Sequence, residues 1–516
     1  MQKTEEHAMQ GVNPGGYYYA VWCRDASYIL RDWFLSGHVH EALAHLYNIW
    51  SHQINGDSNR TASRQGKKDA EEKIVYGRGS PEENFKTTTL KDNNVRESLD
   101  GALPTTIYQA GYSEIYGKNP DIDSTALMIS TTSWILSHVL EEYRRDEQRD
   151  GNSKVIPKKP MRIASHRTGS SGKAVERANL VDDPLLLANH LSSRMQRAVR
   201  YLSNRDTDGD GLLEQGPNED WMDTALRTGK IVYSQAAWIL ALRNFSTLLS
   251  KIKVMPPVGS SSRNSSNTLP DNGQSNNGNS DMTSQDVTRL AERAVQSVEK
   301  TLWSEEGGCY IDAHSTEHYV RRAYHSLTQD VALYLVAITE NTDNDSLRVP
   351  DGPDDDNNDD DDGTTKGQND GAKKSKAGKL EVSDNKLHKR SLSTLAAIKK
   401  RVWREKWPLV TEALLDLTGP WVLKPFQYHN HTFWPWITGI EMLARSRFEM
   451  VDDCNQLLST LTSSDGHPHV HAYYEWINPL NDKGDGAFPF RTGIAEVRIA
   501  LTDILANTQQ NEKQDR

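Results

Sequence analysis

Cysteine is nearly missing from this chain. Cys23, Cys309 and Cys454 stand far apart, too few and too scattered for a disulfide framework or a zinc site, and their odd count suits a reducing compartment. Long apolar runs are missing as well. No stretch approaches the roughly 18 residues needed to span a bilayer, and the opening Met-Gln-Lys-Thr-Glu-Glu lacks the apolar centre of a signal peptide. A cytoplasmic protein with no membrane partner is therefore expected. Basic residues are outnumbered, 60 against 71 acidic ones for a net charge of -11, which disfavours a nucleic-acid surface. Phenylalanine is scarce too, with 8 Phe beside 13 Trp and 19 Tyr. Trp and Tyr add a polar handle to a flat apolar face, so this balance suits wet, concave sites better than a plain core.

Alternating strand patterns are almost absent, and what replaces them is helical spacing. Ala26, Ile29, Leu30, Trp33 and Phe34 fall at i, i+3, i+4, i+7 and i+8, with Gly37 as a stop; Val39, Ala42, Leu43, Leu46 and Trp50 then repeat the pattern. The two helices form a hairpin with a very short turn. The same spacing predicts helices over 124–143, 185–202, 231–249, 285–303, 326–339, 392–402, 434–448, 449–461 and 491–505. That makes about eleven, and an even ring of helix pairs needs a twelfth, for which 410–417 is the candidate. Three polar tracts interrupt the series: a basic, Gly/Ser-rich one over 144–179, a Ser/Asn/Gly/Asp one over 256–286, and an acidic then Lys-rich one over 341–390. None can bury enough apolar surface to offset ordering entropy, so all three read as solvated, disordered inserts in one large domain.

Polar and aromatic residues gather in five segments, mostly at the loops that precede helices. Tyr17-Tyr18-Tyr19-Ala20-Val21-Trp22-Cys23-Arg24-Asp25 ends in an Arg-Asp pair at a helix start. It reads either as a cap, with Asp25 favoured by the helix dipole, or as a sugar site in which Arg24 and Asp25 bind hydroxyls and Trp22 covers a ring face. Asp206-Thr207-Asp208-Gly209-Asp210-Gly211 starts like a calcium loop, but position 12 is Pro217, so Asp206 to Glu214 is no EF-hand; a tight acidic turn and a calcium site of other geometry remain. Next, Glu219, Asp220 and Asp223 crowd around Trp221 and Met222, which reads either as a solvated acidic loop or as an arrangement that raises a carboxyl pKa and suits a general acid. The fourth segment, 425–436, carries Tyr428, His429, His431, Trp434 and Trp436. Its two histidines lack a third ligand, so no metal is expected, and the aromatics serve as packing or as a stacking wall for a polar ring. In the fifth, Glu475 sits among Tyr473, Tyr474, Trp476 and Ile477, where an unpaired carboxylate would be costly; it reads either as a surface glutamate or as a functional carboxylate. Two separated carboxylates in aromatic settings fit glycosidase logic, one protonating the leaving oxygen and the other activating water or attacking directly.

In this order the segments resemble the glucoamylase and glycogen-debranching α-glucosidase group. Val21-Trp22-Cys23-Arg24-Asp25 looks like its Trp-x-Arg-Asp motif, Trp221-Met222-Asp223 like its Trp-Met-Asp segment, Tyr428-His429 through Trp434-Pro435-Trp436 like its Tyr-His and Trp-Pro segment, and Glu475-Trp476-Ile477-Asn478-Pro479 like the motif that carries its general base. The resemblance implies an all-α (α/α)6 toroid and a cofactor-free inverting α-glucosidase acting on an α-glucan or oligosaccharide. It implies Asp223 as acid and Glu475 as base. Trp22, Arg24, Asp25, Glu219, Asp220, Trp221, His429, Trp434 and Trp436 would hold substrate. Glu219 and Asp220 stay rivals for the acid and Asp25 for the base, because the pattern after the acid-loop Trp departs from that of many glucoamylases. No N-terminal β-domain or transferase domain is expected ahead of the first motif. A trehalase-like small-glucoside hydrolase and a noncatalytic glucan-binding protein are the competing functions.

Overall fold

A computed structural model describes residues 11–55, 74–76, 98–108, 113–115, 119–151, 180–255, 281–315, 327–340, 373–415, 423–464 and 468–514. Eleven α-helices occur among them: α1 (Cys23–Leu35), α2 (Val39–Ser51), α3 (Ile122–Gly151), α4 (Pro184–Ser203), α5 (Val232–Val254), α6 (Ser284–Thr301), α7 (Ala332–Thr339), α8 (Lys373–Arg401), α9 (Pro435–Arg447), α10 (Val451–Thr462) and α11 (Arg491–Gln514). The odd-numbered helices close on themselves. Helix α1 packs on α3, α3 on α5, α5 on α7, α7 on α9, α9 on α11, and α11 returns to α1. Even-numbered helices lie outside: α2 on α1 and α4, α4 on α3 and α5, α6 on α5, and α10 on α9. This is a double ring of helices, with the inner ring carrying the heavier burial. In α5 the run Val232 to Leu242 is buried all round, whereas outer α6 buries one stripe, Val287, Ala291, Ala294 and Val298.

Local chemistry sets the helix starts. Asp183 accepts from the Leu186 N–H and Pro184 takes the first turn of α4; Thr283 and Asp286 form a reciprocal capping box on α6. Short strands tie the loops at the helix starts together. Val21–Trp22 pairs with Thr106–Ile107, Lys230–Ile231 with Ala313–His314, and Trp476–Asn478 with Lys483–Asp485.

Three expectations need correction. The span 410–417 holds no helix over its described residues, because a hairpin of Trp403–Arg404 and Trp407–Pro408 precedes it and its backbone is used elsewhere: the Val410 N–H donates to Thr432 O at 2.9 Å and Val410 O accepts from the Gln329 N–H at 3.0 Å. Helix α8 starts at Lys373, inside the tract expected to be structureless, and α3 runs to Gly151, eight residues into another. Helix α7 is short, since a 3-10 turn over Gln329–Val331 takes the first part of the predicted span. The remaining parts of the three polar tracts, 152–179, 256–280 and 341–372, lie outside the described residues. No helix among the described residues is long and apolar enough to cross a membrane.

Candidate active site

The loops preceding α1, α5, α9 and α11 converge on one narrow cleft of about 390 Å3, its open mouth included. Of the residues expected to bind or react with substrate, Trp22, Arg24, Asp25, Trp221, Asp223, Trp434, Trp436 and Glu475 line it, together with Pro14, Tyr18, Tyr428 and Phe490.

Glu475 is buried and forms one wall. Its Oε1 accepts from the Tyr18 hydroxyl at 2.7 Å and the Tyr428 hydroxyl at 3.4 Å; Oε2 accepts from the Ala487 N–H at 2.6 Å and the Tyr17 hydroxyl at 3.4 Å. Gly486 makes the Ala487 contact possible. Its φ is 79°, and a Cβ there would stand 2.3 Å from Glu475 Oε2. Burial pushes the Glu475 carboxyl above its ordinary value, and the Ala487 and Tyr18 donors pull the other way. The cost returns on the phenol side: burial and the nearby carboxylate raise Tyr17 to about 12.

Asp223 lines the same cleft and differs in kind. A third of its side chain, 33%, stays exposed in the cleft although the residue lies deep in the protein, and its Oδ1 is buried without a hydrogen-bond partner among the described residues. Burial first, then the charges of Asp220 and Glu475, raise its carboxyl to about 7 against the pull of Arg24. His429 lies 3.9 Å away, but its Nδ1 sits 2.7 Å from Thr224 Oγ1, and burial with Arg24 and Arg227 keeps the ring neutral. Asp223 thus stands beside a neutral imidazole rather than in an ion pair.

Glu219 and Asp220, next to it in sequence, are absorbed by structure. Glu219 accepts from Arg205 at 2.5 Å, Asn119 at 2.6 Å and the Gly216 N–H at 2.8 Å. Asp220 accepts from Gln215 and the Met222 N–H, both at 2.9 Å, and lies 3.5 Å from Arg227. Neither lines the cleft.

Trp221, Trp434 and Trp436 line the cleft, and His429, expected to bind substrate, is buried against them and does not line it. Trp221 meets His429, Trp434 and Trp436 edge-on at 5.0, 5.5 and 5.2 Å, and Trp434 stacks on His429 at 4.8 Å. Trp221 Nε1 donates to Asp330 at 2.8 Å, anchoring the acid loop to the turn before α7. The loop bearing Tyr428 is wound tightly. Tyr428 itself has φ 49°, a left-handed conformation that costs a bulky residue energy, and its carbonyl is held by Thr432 Oγ1 and by Trp434 Nε1 at 3.1 Å.

Arg24 and Asp25 are the polar end. Arg24 lies 3.2 Å from Asp25, 3.7 Å from Asp123 and 3.9 Å from Asp121, with its guanidinium 5.9 Å from the Trp22 ring. The other Asp25 oxygen accepts from Thr492 at 2.7 Å. Burial raises the Asp121 and Asp123 carboxyls in spite of Arg24.

Sequence reasoning overlooked Asp121, Asp123, Thr492 and the roles of Tyr18 and Tyr428. Asp121-Ile122-Asp123 at a helix start was a readable signal; Thr492 offered none. The calcium question also has a structural counterpart. Asp206, Asp208 and Asp210 form the one carboxylate group close enough to hold a metal among the described residues, yet Lys230 Nζ sits 2.7 Å from Asp208 and 2.6 Å from Asp210. The lysine ammonium supplies the positive charge there. His431 is separate from His429, and its Nδ1 donates to the Thr411 carbonyl oxygen at 2.7 Å.

No protein-family model matches the chain, and no curated protein matches it. Among solved structures it is similar to a GH63 mannosylglycerate hydrolase from Thermus thermophilus in complex with glucose, at 13% identity and TM-score 0.48 over 97% of this chain and 99% of that one. An uncharacterized conserved protein from the same organism gives 13% identity and TM-score 0.48 over 97% and 100%. A glycosidase in complex with glucose gives 12% identity and TM-score 0.45 over 98% and 96%.

Proposed function

We propose that this protein is an inverting, exo-acting α-glucosidase that releases glucose from the non-reducing ends of an α-glucan, of the amylo-α-1,6-glucosidase or glucoamylase type. The observation that carries the reading is the contrast between two carboxyls on one aromatic cleft. Asp223, with its carboxyl raised to about 7, keeps its proton near neutral pH and has an unbonded oxygen; it acts as general acid on the glycosidic oxygen. Glu475 accepts four hydrogen bonds, which favour its anion; it acts as general base on a water. As the acid delivers its proton to the departing oxygen, the base removes one from the water that attacks the anomeric carbon from the opposite face, so configuration inverts.

Asp25 fits the base role less well, because its two oxygens are committed to Arg24 and Thr492. Glu219 and Asp220 fit the acid role less well, being outside the cleft and fully engaged. Arg24 with Asp25 suits the vicinal hydroxyls of a terminal sugar, and Trp22, Trp221 and Trp434 suit its apolar faces. Orientation by these groups, not proton transfer, is their contribution.

The test is glucose release from limit dextrin, with the first anomer read by NMR. Initial β-glucose supports the reading and initial α-glucose overturns inversion. Asp223→Asn and Glu475→Gln are each expected to lower kcat by about 100- to 10,000-fold; near-normal release by both sinks it. A panel of isomaltose, maltose, trehalose and mannosylglycerate separates a glucan enzyme from a small-glycoside hydrolase. Glucan binding without any release would leave a noncatalytic binding protein.

A further inference from the structure

The cleft is not the largest hollow among the described residues. Between the end of α2, the exposed side of α4 and Asp281 before α6 lies an open pocket of about 560 Å3. None of its lining residues lines the cleft. Arg194, Arg197 and Arg200 enter it from α4, spaced three apart along one stripe, with His190 one turn earlier.

Several buried or half-buried arginines elsewhere face carboxylates, although Arg243 has only the Ala337 carbonyl as a side-chain partner among the described residues. Arg24 and Arg227 each have three and Arg447 has two. In the pocket only Arg197 is matched, by Asp100 at 2.5 Å. Arg194 spends Nη1 on the Trp50 carbonyl at 2.7 Å and Nε on His190 at 3.4 Å, leaving Nη2 without a partner among the described residues. Arg200 has no side-chain hydrogen bond or ion pair among them. Burial and the neighbouring Arg197 push the Arg194 guanidinium below its ordinary value, the sign of a cation lacking an anion. Asp281 at the rim brings one negative charge, so three arginines against Asp100 and Asp281 leave positive charge in excess. Ser51 and Ser193 also line it, but each hydroxyl already donates its proton to a helix carbonyl, Asn48 O at 2.6 Å and His190 O at 2.9 Å, so the arginines carry the donor capacity.

We propose that this pocket is a binding site for a phosphate group, free or carried as a monoester on a small metabolite, with Arg194 and Arg200 as its principal ligands. Two planar guanidiniums with open N–H donors match the tetrahedral array of phosphate oxygens, which accept paired, charge-assisted hydrogen bonds better than a halide does. The third arginine, held by Asp100, keeps the stripe in register.

Calorimetric titration of the full chain with sodium phosphate at constant ionic strength is expected to give saturable binding. Arg200→Gln and Arg194→Gln should each weaken it by about tenfold or more, the loss of one charge-assisted contact, while melting temperature without phosphate stays near that of the parent for Arg200→Gln. Glucose 1-phosphate run beside orthophosphate distinguishes the source, tighter binding marking a monoester site and equal or weaker binding a site for the free ion. The proposal is overturned if phosphate gives no saturable heat, if chloride displaces it at equal concentration, or if a folded Arg200→Gln protein binds as the parent does.

Discussion

Two arginines in this protein are each surrounded by three carboxylates, and the two clusters close to different degrees. Arg227 lies 2.7 Å from Asp312, 3.1 Å from Asp330 and 3.5 Å from Asp220, and the three carboxylates also receive Thr328, Trp221, Gln215 and the Met222 N–H. Arg24 lies at 3.2, 3.7 and 3.9 Å from its partners and keeps 13% of its side chain exposed, while neither oxygen of Asp123 has a hydrogen bond among the described residues. Arg227 Nε and Nη1 and Asp312 Oδ2 also lack hydrogen bonds among the described residues, so the difference is one of distance and exposure: the same residue types make a closer, fully buried brace in one place and a looser, cleft-facing array in the other. Unused donors and acceptors held in a fixed, poorly solvated position are what a polyhydroxylated ligand needs, and they are costly to maintain without one.

The largest expected effect separates the clusters by stability. Arg227→Met strands three buried carboxylates and should cost about 3–5 kcal/mol in urea unfolding. Arg24→Met should cost less than about half of that, because its neighbours are looser and its burial is incomplete. Equal losses would erase the distinction. Next comes catalysis: a folded Arg24→Met protein should lose about 100-fold in kcat/KM on the proposed glucoside, the scale of a misplaced substrate. If it kept near-normal kcat/KM, Arg24 would be a brace like Arg227.

How this division relates to the sequence is instructive. Helical spacing located the inner and outer helices well, since the outer ones bury a stripe and the inner ones are apolar enough to be buried nearly all round. It failed at 410–417, where Leu409 and Val410 are buried by strand-like pairing with other segments and Leu415 is held through its backbone by the Asn430 side chain, and at the start of α8, where Lys-rich composition masks a helix. The cleft aromatics were legible because motif order located them. The difference among Glu219, Asp220 and Asp223 was not, since three acids within five residues look alike until Arg205, Asn119 and Gln215 arrive from elsewhere. Thr492, in the first turn of α11, meets Asp25 only because the ring closes between α11 and α1.

That closure supplies a smaller test. Thr492→Val keeps the shape and removes the 2.7 Å hydrogen bond to Asp25, which should cost about 1 kcal/mol of stability. Asp25 is then free to turn away from the cleft, so KM should rise by roughly fivefold with kcat nearly unchanged. A fall in kcat with KM unchanged would instead make Asp25 part of the proton-transfer machinery, its rival role.

The smallest effect links the two clusters. Asp220 belongs to the fully buried one, yet its charge helps hold the Asp223 carboxyl at about 7, after burial. An acid of that pKa is protonated below about pH 7 and ionises above it, so kcat/KM should decline on the alkaline side from there. Glu475, raised by burial, must be ionised to act as base and sets an acidic limb above the ordinary glutamate range. Asp220→Asn deletes an anion near Asp223 and leaves Arg227 less compensated; both changes favour the ionised acid. The alkaline limb should therefore move downward, by roughly half a pH unit, while the acidic limb stays in place. An unmoved or rising alkaline limb in a folded variant would mean that Asp220 does not reach the cleft and that another group carries the proton.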